Sequence, residues 1–193
     1  MQDIKKYLLF ILLLNLINCS LFNKNEKNLD QTNNNINIII SSLDVNQKQA
    51  LMFFKDSVKD KQYSKDLERA SKSYLEDLKK YNKNPDLQNK LSKGLDCDYD
   101  DSKIEKLFTQ LGNDNVKKFL QQLHLMLKVI NDGTLASFSS SNFNDLTILS
   151  QKQERALEYI KSQFYIEFYF YSNGIGDAEY FFERVTKQIL EMY

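Results

Sequence analysis

The sequence predicts an all-α fold, a compact bundle of about six or seven helices behind a flexible N-terminal tether. Apolar residues recur at alternating steps of three and four, the spacing that places them on one face of a helix. Only five glycines and one proline occur in the chain, which argues against a turn-rich β fold. Residues 42–193 are numerous enough to form a single domain around one substantial core.

The first 18 residues have the features of a secretory signal. Lys5 and Lys6 supply positive charge, and the apolar stretch that follows, residues 7–14, is too short to span a bilayer. The stretch closes on Leu16-Ile17-Asn18-Cys19. This ending resembles the lipobox of bacterial lipoproteins, and Asn18 resembles the polar residue that spirochaetal lipoboxes commonly accept there. The resemblance implies that Cys19 is the lipidated first residue of the mature chain. An ordinary secretory peptide with an incidental cysteine, or an uncleaved membrane helix, are the alternatives.

Residues 19–41 are predicted to be a tether. The segment is rich in Asn and Lys and too polar to bury a core, although residues 38–40 are three isoleucines that could pack as a first element of the domain. Without residues 1–18 the chain has one more acidic than basic side chain, so its charge does not favour nucleic acid. Only Cys97 remains besides Cys19, so stability is expected to come from packing and not from an intramolecular disulfide.

Local signals place the elements in order. A helix is predicted after the N-cap Asp44, a second after Ser64, and a short third one that begins at Asn84-Pro85 and ends at Gly94. Two further helices are predicted to stop at Gly112 and near Gly133, and a long loop, residues 134–150, follows.

The last part of the chain carries a dense aromatic run. A long helix is predicted over residues 151–171, although aromatics at 164–171 would also suit a strand; no comparable second run exists to pair with it. Residues 172–176 then form a turn, and Asp177 is predicted to cap the final helix.

Catalytic motifs are absent from the sequence, and we expect the protein not to be an enzyme and to need no cofactor or metal. His124 is the only histidine, and it lies among apolar residues of a predicted helix, which favours a structural role. No zinc-ligand set, phosphate loop or nucleophile elbow occurs. Catalytic carboxylates on distant segments would leave no signature of this kind.

The acidic segment Asp96-Cys97-Asp98-Tyr99-Asp100 mimics the start of an EF-hand loop. Asp101 replaces the turn glycine and Leu107 falls where the bidentate glutamate belongs, so an acidic turn before a helix is favoured over a calcium site. The flanking aspartates should raise the pKa of the Cys97 thiol, which favours an unpaired loop cysteine over an intermolecular disulfide.

Candidate binding residues lie in two loops, because loops tend to carry function. The long loop contributes Ser139, Ser140, Ser141, Asn142 and Phe143, and the turn at 172–177 contributes Asn173.

The combined features resemble the plasmid-encoded surface lipoproteins of Borrelia spirochaetes. The features are the lipobox, the tether, a helical domain poor in Gly, Pro, Trp and His, and an opening amphipathic segment, residues 43–56. The opening segment does not select one family among these lipoproteins, and the first interpretation is the factor H-binding lipoproteins of relapsing-fever species, which are compact helical domains. The resemblance implies a lipid-anchored monomer exposed on the outer membrane, a virulence factor that recruits the host complement regulator factor H for immune evasion. A surface or periplasmic lipoprotein acting as an adhesin, or as a structural or antigenic protein without a complement ligand, is the alternative.

Overall fold

The computed structural model describes residues 38–139, 143 and 145–191. Within these ranges the chain is all-α, as predicted, and contains no strand. A helical turn at 38–41 precedes six α-helices, which are α1 (Val45–Lys59), α2 (Ser64–Lys80), α3 (Pro85–Ser92), α4 (Asp101–Asn131), α5 (Leu149–Ser172) and α6 (Ala178–Glu191). Two 3-10 turns, Lys61–Tyr63 and Ala136–Ser139, lie between them.

Helix α5 is the centre of the bundle. It packs against α1, α2, α4 and α6, while α2 and α3 form a hairpin on one side of it. Residues 164–171 are all buried, so this part of α5 has no face toward water. The helix predicted over 151–171 is therefore confirmed, and the strand interpretation of the aromatic run is wrong.

Aromatic rings fill the core around Phe54 of α1. Its ring centroid lies 5.3–6.3 Å from those of five other phenylalanines, which are Phe108, Phe119, Phe164, Phe168 and Phe181. Most of these pairs meet edge to face, the arrangement that the charge distribution of aromatic rings favours. The cluster joins α1, α4, α5 and α6 into one core.

Most of the predicted helix starts are confirmed. The Asp44 carboxylate accepts a hydrogen bond from Gln47 N (2.8 Å), and the Gln47 side chain accepts one from Asp44 N (3.1 Å), which completes a capping box. Asn84 caps α3 ahead of Pro85, and Asp177 accepts a hydrogen bond from Tyr180 N at the start of α6.

The predicted N-cap at Ser64 is wrong. The 3-10 turn Lys61–Tyr63 runs directly into α2, and the backbone at Ser64 is already helical, with φ −58° and ψ −35°. No side-chain hydrogen bond caps α2. Asp60 takes a capping role one turn earlier, where it accepts a hydrogen bond from Gln62 N (3.1 Å).

The break predicted at Gly112 is present as a kink inside α4. Gly112 has φ 76° and ψ 162°, a conformation outside the helical region, and the helix resumes after it.

Near the start of the described chain, Ile39 is buried against the core. The packed region therefore begins ahead of the predicted boundary at residue 42.

Candidate functional site

The described residues between α4 and α5 include a small apolar group packed onto the body of the domain. Gly133, at φ +72°, ends α4, and three apolar side chains beyond it are buried: Leu135, Phe138 and Phe143. The rings of Phe138 and Phe143 meet edge to face with centroids 5.2 Å apart. This segment has its own small apolar anchor.

Three side chains from the first turns of α5 hold the described residues of this segment in place. Lys152 Nζ donates to Phe138 O (2.7 Å), and Gln153 Nε2 donates to the carbonyls of Ile130 (3.0 Å) and Asn131 (2.9 Å). Arg155 donates to both carboxylate oxygens of Asp145, at 2.8 and 3.0 Å. The loop and the first turns of α5 therefore form one connected surface.

Two large aliphatic side chains are exposed where this surface begins. Ile148 is 55 % exposed and Leu149 is 48 % exposed. Ile148 occupies the N-cap position of α5, where Ser, Thr, Asp or Asn is preferred, and makes no side-chain cap. Leu149 packs over Gly133, since a Cβ at that glycine would lie 2.8 Å from Leu149 Cδ2. The start of α5 therefore has two exposed apolar side chains where a polar N-cap would stabilise the helix better.

An open groove of about 490 Å³ runs along the first half of α5, and its lining includes Ser150, the residue that follows Leu149. Its lining is mainly polar and consists of Asn131, Ser150, Gln153, Glu154, Leu157, Glu158 and Lys161. Glu158 accepts a hydrogen bond from the Tyr63 hydroxyl (2.7 Å), and Lys161 Nζ lies 3.7 Å from the same carboxylate. Burial, and then the hydrogen bond to Glu158, raise the pKa of Tyr63, so this tyrosine stays neutral. The groove combines donors and acceptors with an apolar edge.

The residues predicted from sequence are distributed as follows. Ser139 ends the 3-10 turn in this segment, whereas Ser140, Ser141 and Asn142 lie outside the described residues, as does Cys19. Phe143 is buried against Phe138, so in this conformation its ring belongs to the core and not to an exposed contact.

Asn173 lies far along the chain and is half-buried. Its amide donates to Tyr169 O (2.8 Å) and Asp96 O (2.9 Å), and its carbonyl oxygen accepts from Asp96 N (3.0 Å). The side chain therefore joins the turn after α5 to the acidic segment. Its hydrogen-bonding groups are used within the protein.

The carboxylates of the acidic segment are also engaged locally. Asp96 accepts hydrogen bonds from Lys103 Nζ (2.8 Å) and Asp98 N (2.9 Å), which lower the pKa of its carboxyl. Asp100 caps α4 by accepting from Ser102 N (2.9 Å). Within the described part of the chain, no group of three or more histidine, cysteine or carboxylate residues is arranged to hold a metal ion.

Cys97 and His124 are both half-buried. Burial first, and the charge of Asp96 second, raise the pKa of the Cys97 thiol. The predicted direction of the pKa shift is therefore confirmed, with desolvation as the larger cause.

The exposed pair Ile148 and Leu149 could not be predicted from the sequence, because an apolar pair before a helix resembles ordinary core until its exposure is known.

No protein-family model matches the chain, and the comparison with curated proteins finds no similar sequence. Among the described helices, none is both long and apolar enough to cross a membrane.

Proposed function

We propose that this protein is an outer-surface lipoprotein, anchored through lipid on Cys19, that binds the host complement regulator factor H for immune evasion. The lipobox-like sequence before Cys19 supports the anchor. The resemblance to Borrelia surface lipoproteins supports the ligand, and the helical domain agrees with that resemblance. In this proposal the protein is a binder and carries out no reaction.

The observation that carries the binding proposal is the exposed pair Ile148 and Leu149, which directly precedes Ser150 of the polar groove in the chain. Protein interfaces combine an apolar centre with a polar rim, and a few anchor residues supply most of their binding energy. An exposed aliphatic pair next to seven mostly polar lining residues has this composition. A partner protein would cover the pair and hydrogen-bond along α5.

The test is direct binding of purified human factor H to the full chain in detergent. Replacing both aliphatic residues, Ile148→Ser with Leu149→Ser, should weaken the affinity about thirtyfold, because loss of an interface anchor costs about 2 kcal/mol. The matched control is Val45→Ser with Met52→Ser, which removes two exposed apolar side chains, 71 % and 58 % exposed, from α1. The control should bind factor H as the original chain does, and both variants should keep their helical circular dichroism.

The outcomes separate the parts of the proposal. Saturable factor H binding that only the first variant weakens would support it in full. If both variants bind factor H as the original chain does, factor H is still the ligand, but this surface is not its binding site. No factor H binding would overturn the ligand, and capture of another serum protein would then identify a replacement. Resistance of the protein to protease on intact cells would favour the periplasmic alternative.

A further inference from the structure

The hairpin of α2 and α3 carries a concentration of positive charge in a chain whose net charge is zero. Residues 79–93, here called the basic hairpin, contain five lysines and a single carboxylate, Asp86. The lysines are Lys79, Lys80, Lys83, Lys90 and Lys93. Four are exposed, and Lys83 is half-buried. Asp86 lies in the first turn of α3, where the helix dipole favours a negative charge.

These lysines have no acidic partner in the described part of the chain. Some ammonium groups elsewhere on the surface pair with carboxylates, as Lys55 does with Asp101 at 2.6 Å and Lys72 with Glu68 at 2.6 Å. None of the ion pairs among the described residues includes a lysine of the basic hairpin. Its positive charge is therefore available to an external anion.

The tip of the hairpin gathers two of these cations on an exposed aromatic ring. Lys80 Nζ and Lys83 Nζ lie 5.3 and 5.7 Å from the centre of the Tyr81 ring, which is 42 % exposed. The turn that holds them has two residues in the left-handed region, Asn82 and Asn84, both at φ 48°. Asparagine tolerates this conformation better than most residues, and the tight turn keeps both lysines on the same aromatic side chain.

We infer that the basic hairpin binds a sulfated polysaccharide. Helix α3 begins at Pro85 and rises about 1.5 Å per residue, so Lys90 and Lys93 lie about 8 and 12 Å along the hairpin from the tip. Cations spaced along a surface in this way fit a linear polymer that carries an anionic group on each of several units. Binding of that kind needs charge along its length and no apolar anchor.

Other anionic partners fit the same surface less well. A protein interface has an apolar centre and is depleted in lysine, yet Tyr81 is the only large apolar side chain exposed within residues 79–93. A nucleic-acid strand would stack bases on exposed aromatic faces, whereas Tyr81 is already occupied by two ammonium groups. A lipid surface would favour additional aliphatic side chains that insert among the headgroups.

The experiment measures the affinity of the full chain, in detergent, for heparin over a range of salt concentrations. The hairpin variant replaces four lysines with glutamine at positions 80, 83, 90 and 93. The control variant replaces four exposed lysines outside the hairpin, at positions 48, 65, 106 and 128. Both variants lose the same net charge, and circular dichroism checks that both remain folded.

We expect the hairpin variant to lose at least about tenfold in affinity at physiological salt. The magnitude of the slope of log affinity against log salt should fall by about three. Each lysine that pairs with the polyanion releases roughly one counterion on binding, and the variant has four such lysines fewer. The control should keep the original slope. Equal losses in both variants would overturn the site, as would failure of the original chain to bind heparin. Tighter binding to vesicles of phosphatidylglycerol and phosphatidylcholine than to heparin would overturn the polysaccharide and assign the surface to lipid.

Discussion

Glu167 is the only charged residue in the buried run of α5, residues 164–171. It is 2 % exposed, and its Oε1 accepts hydrogen bonds from Arg184 Nη2 (2.7 Å) and Arg184 Nε (3.0 Å). Removing a carboxylate from water is costly, and a partner with several donors offsets much of that cost. The pair joins α5 to α6 at a fixed register, since no neighbouring position would let both donors reach the same oxygen.

Removing one partner of this pair should be more harmful than removing both. Arg184→Met leaves a buried carboxylate without its cation, and we expect a loss of about 3–5 kcal/mol in the free energy of unfolding. The double variant Glu167→Gln with Arg184→Met should lose clearly less. Urea denaturation followed by circular dichroism measures both. Glu68→Gln, which breaks an exposed ion pair with Lys72, is the control and should leave the free energy of unfolding nearly unchanged. A loss in Arg184→Met no larger than in this control would contradict the assigned role.

At the scale of elements, the kink in α4 sets the direction of its second half. Gly112 departs from helical geometry, and Asn115 Nδ2 donates to Leu111 O (3.1 Å) just where the regular backbone pattern is interrupted. The segment before the kink buries Leu107 and Phe108, and the segment after it buries Phe119 and other core residues. One element therefore presents two differently aimed apolar faces to the core.

A side chain at Gly112 should destabilise the protein through the backbone alone. A Cβ there would meet no atom within 4 Å, so Gly112→Ala introduces no clash, but φ 76° is strained for any residue with a Cβ. We expect a loss of about 1–3 kcal/mol in the free energy of unfolding, measured by urea denaturation. Asp114→Ala, at an exposed position of the same helix, should be close to neutral. If the stability of Gly112→Ala is unchanged, the positive φ at this position is not required, and α4 can form a straighter helix there.

Elements with local signals could be predicted from sequence. Asp44, Asn84 and Asp177 bond to backbone groups three residues away, so the pattern that forms each cap is visible in a short window. The N-cap prediction at Ser64 is wrong because a 3-10 turn precedes this residue, so the backbone at Ser64 is already helical. A 3-10 turn of three residues leaves no clear pattern in the sequence.

Features that depend on distant contacts could not be predicted in this way. Glu167 and Arg184 are 17 residues apart in different helices, so a glutamate in an aromatic run gave no sign of its partner. Phe143 looked like a loop residue, and only its contact with Phe138 places it in the core. The exposure of Ile148 and Leu149 likewise follows from how the chain packs around them.

At the scale of the whole molecule, Asn173 joins two parts of the chain that are 77 residues apart. The side-chain amide of Asn173 accepts from Asp96 N and donates to Asp96 O, so it bonds both backbone groups of this residue. Asp96 lies on the segment that leads from the α2–α3 hairpin into α4. Lys103 holds the same aspartate from the side of α4. The hairpin is therefore connected to the central bundle by a small polar network as well as by apolar packing.

Asn173→Ala should destabilise the protein without affecting a ligand. The two bonds to Asp96 are exposed, so water can replace the lost amide, and we expect a cost of about 0.5–1.5 kcal/mol in the free energy of unfolding, read from urea denaturation. Affinity for factor H, measured on the same preparation, should stay within twofold of the original. A large loss of affinity with unchanged stability would restore Asn173 as a contact residue of the binding surface.

The burial of residues 164–171 on every side has a consequence for how the domain can be cut. The first half of α5 keeps exposed positions, but residues 164–171 have none, so their burial depends on the helices that pack around α5. A protease that nicks the backbone and frees α6 would uncover aromatic rings along the length of the bundle. We therefore expect a protease either to leave the domain intact or to degrade it entirely, with no folded fragment left behind.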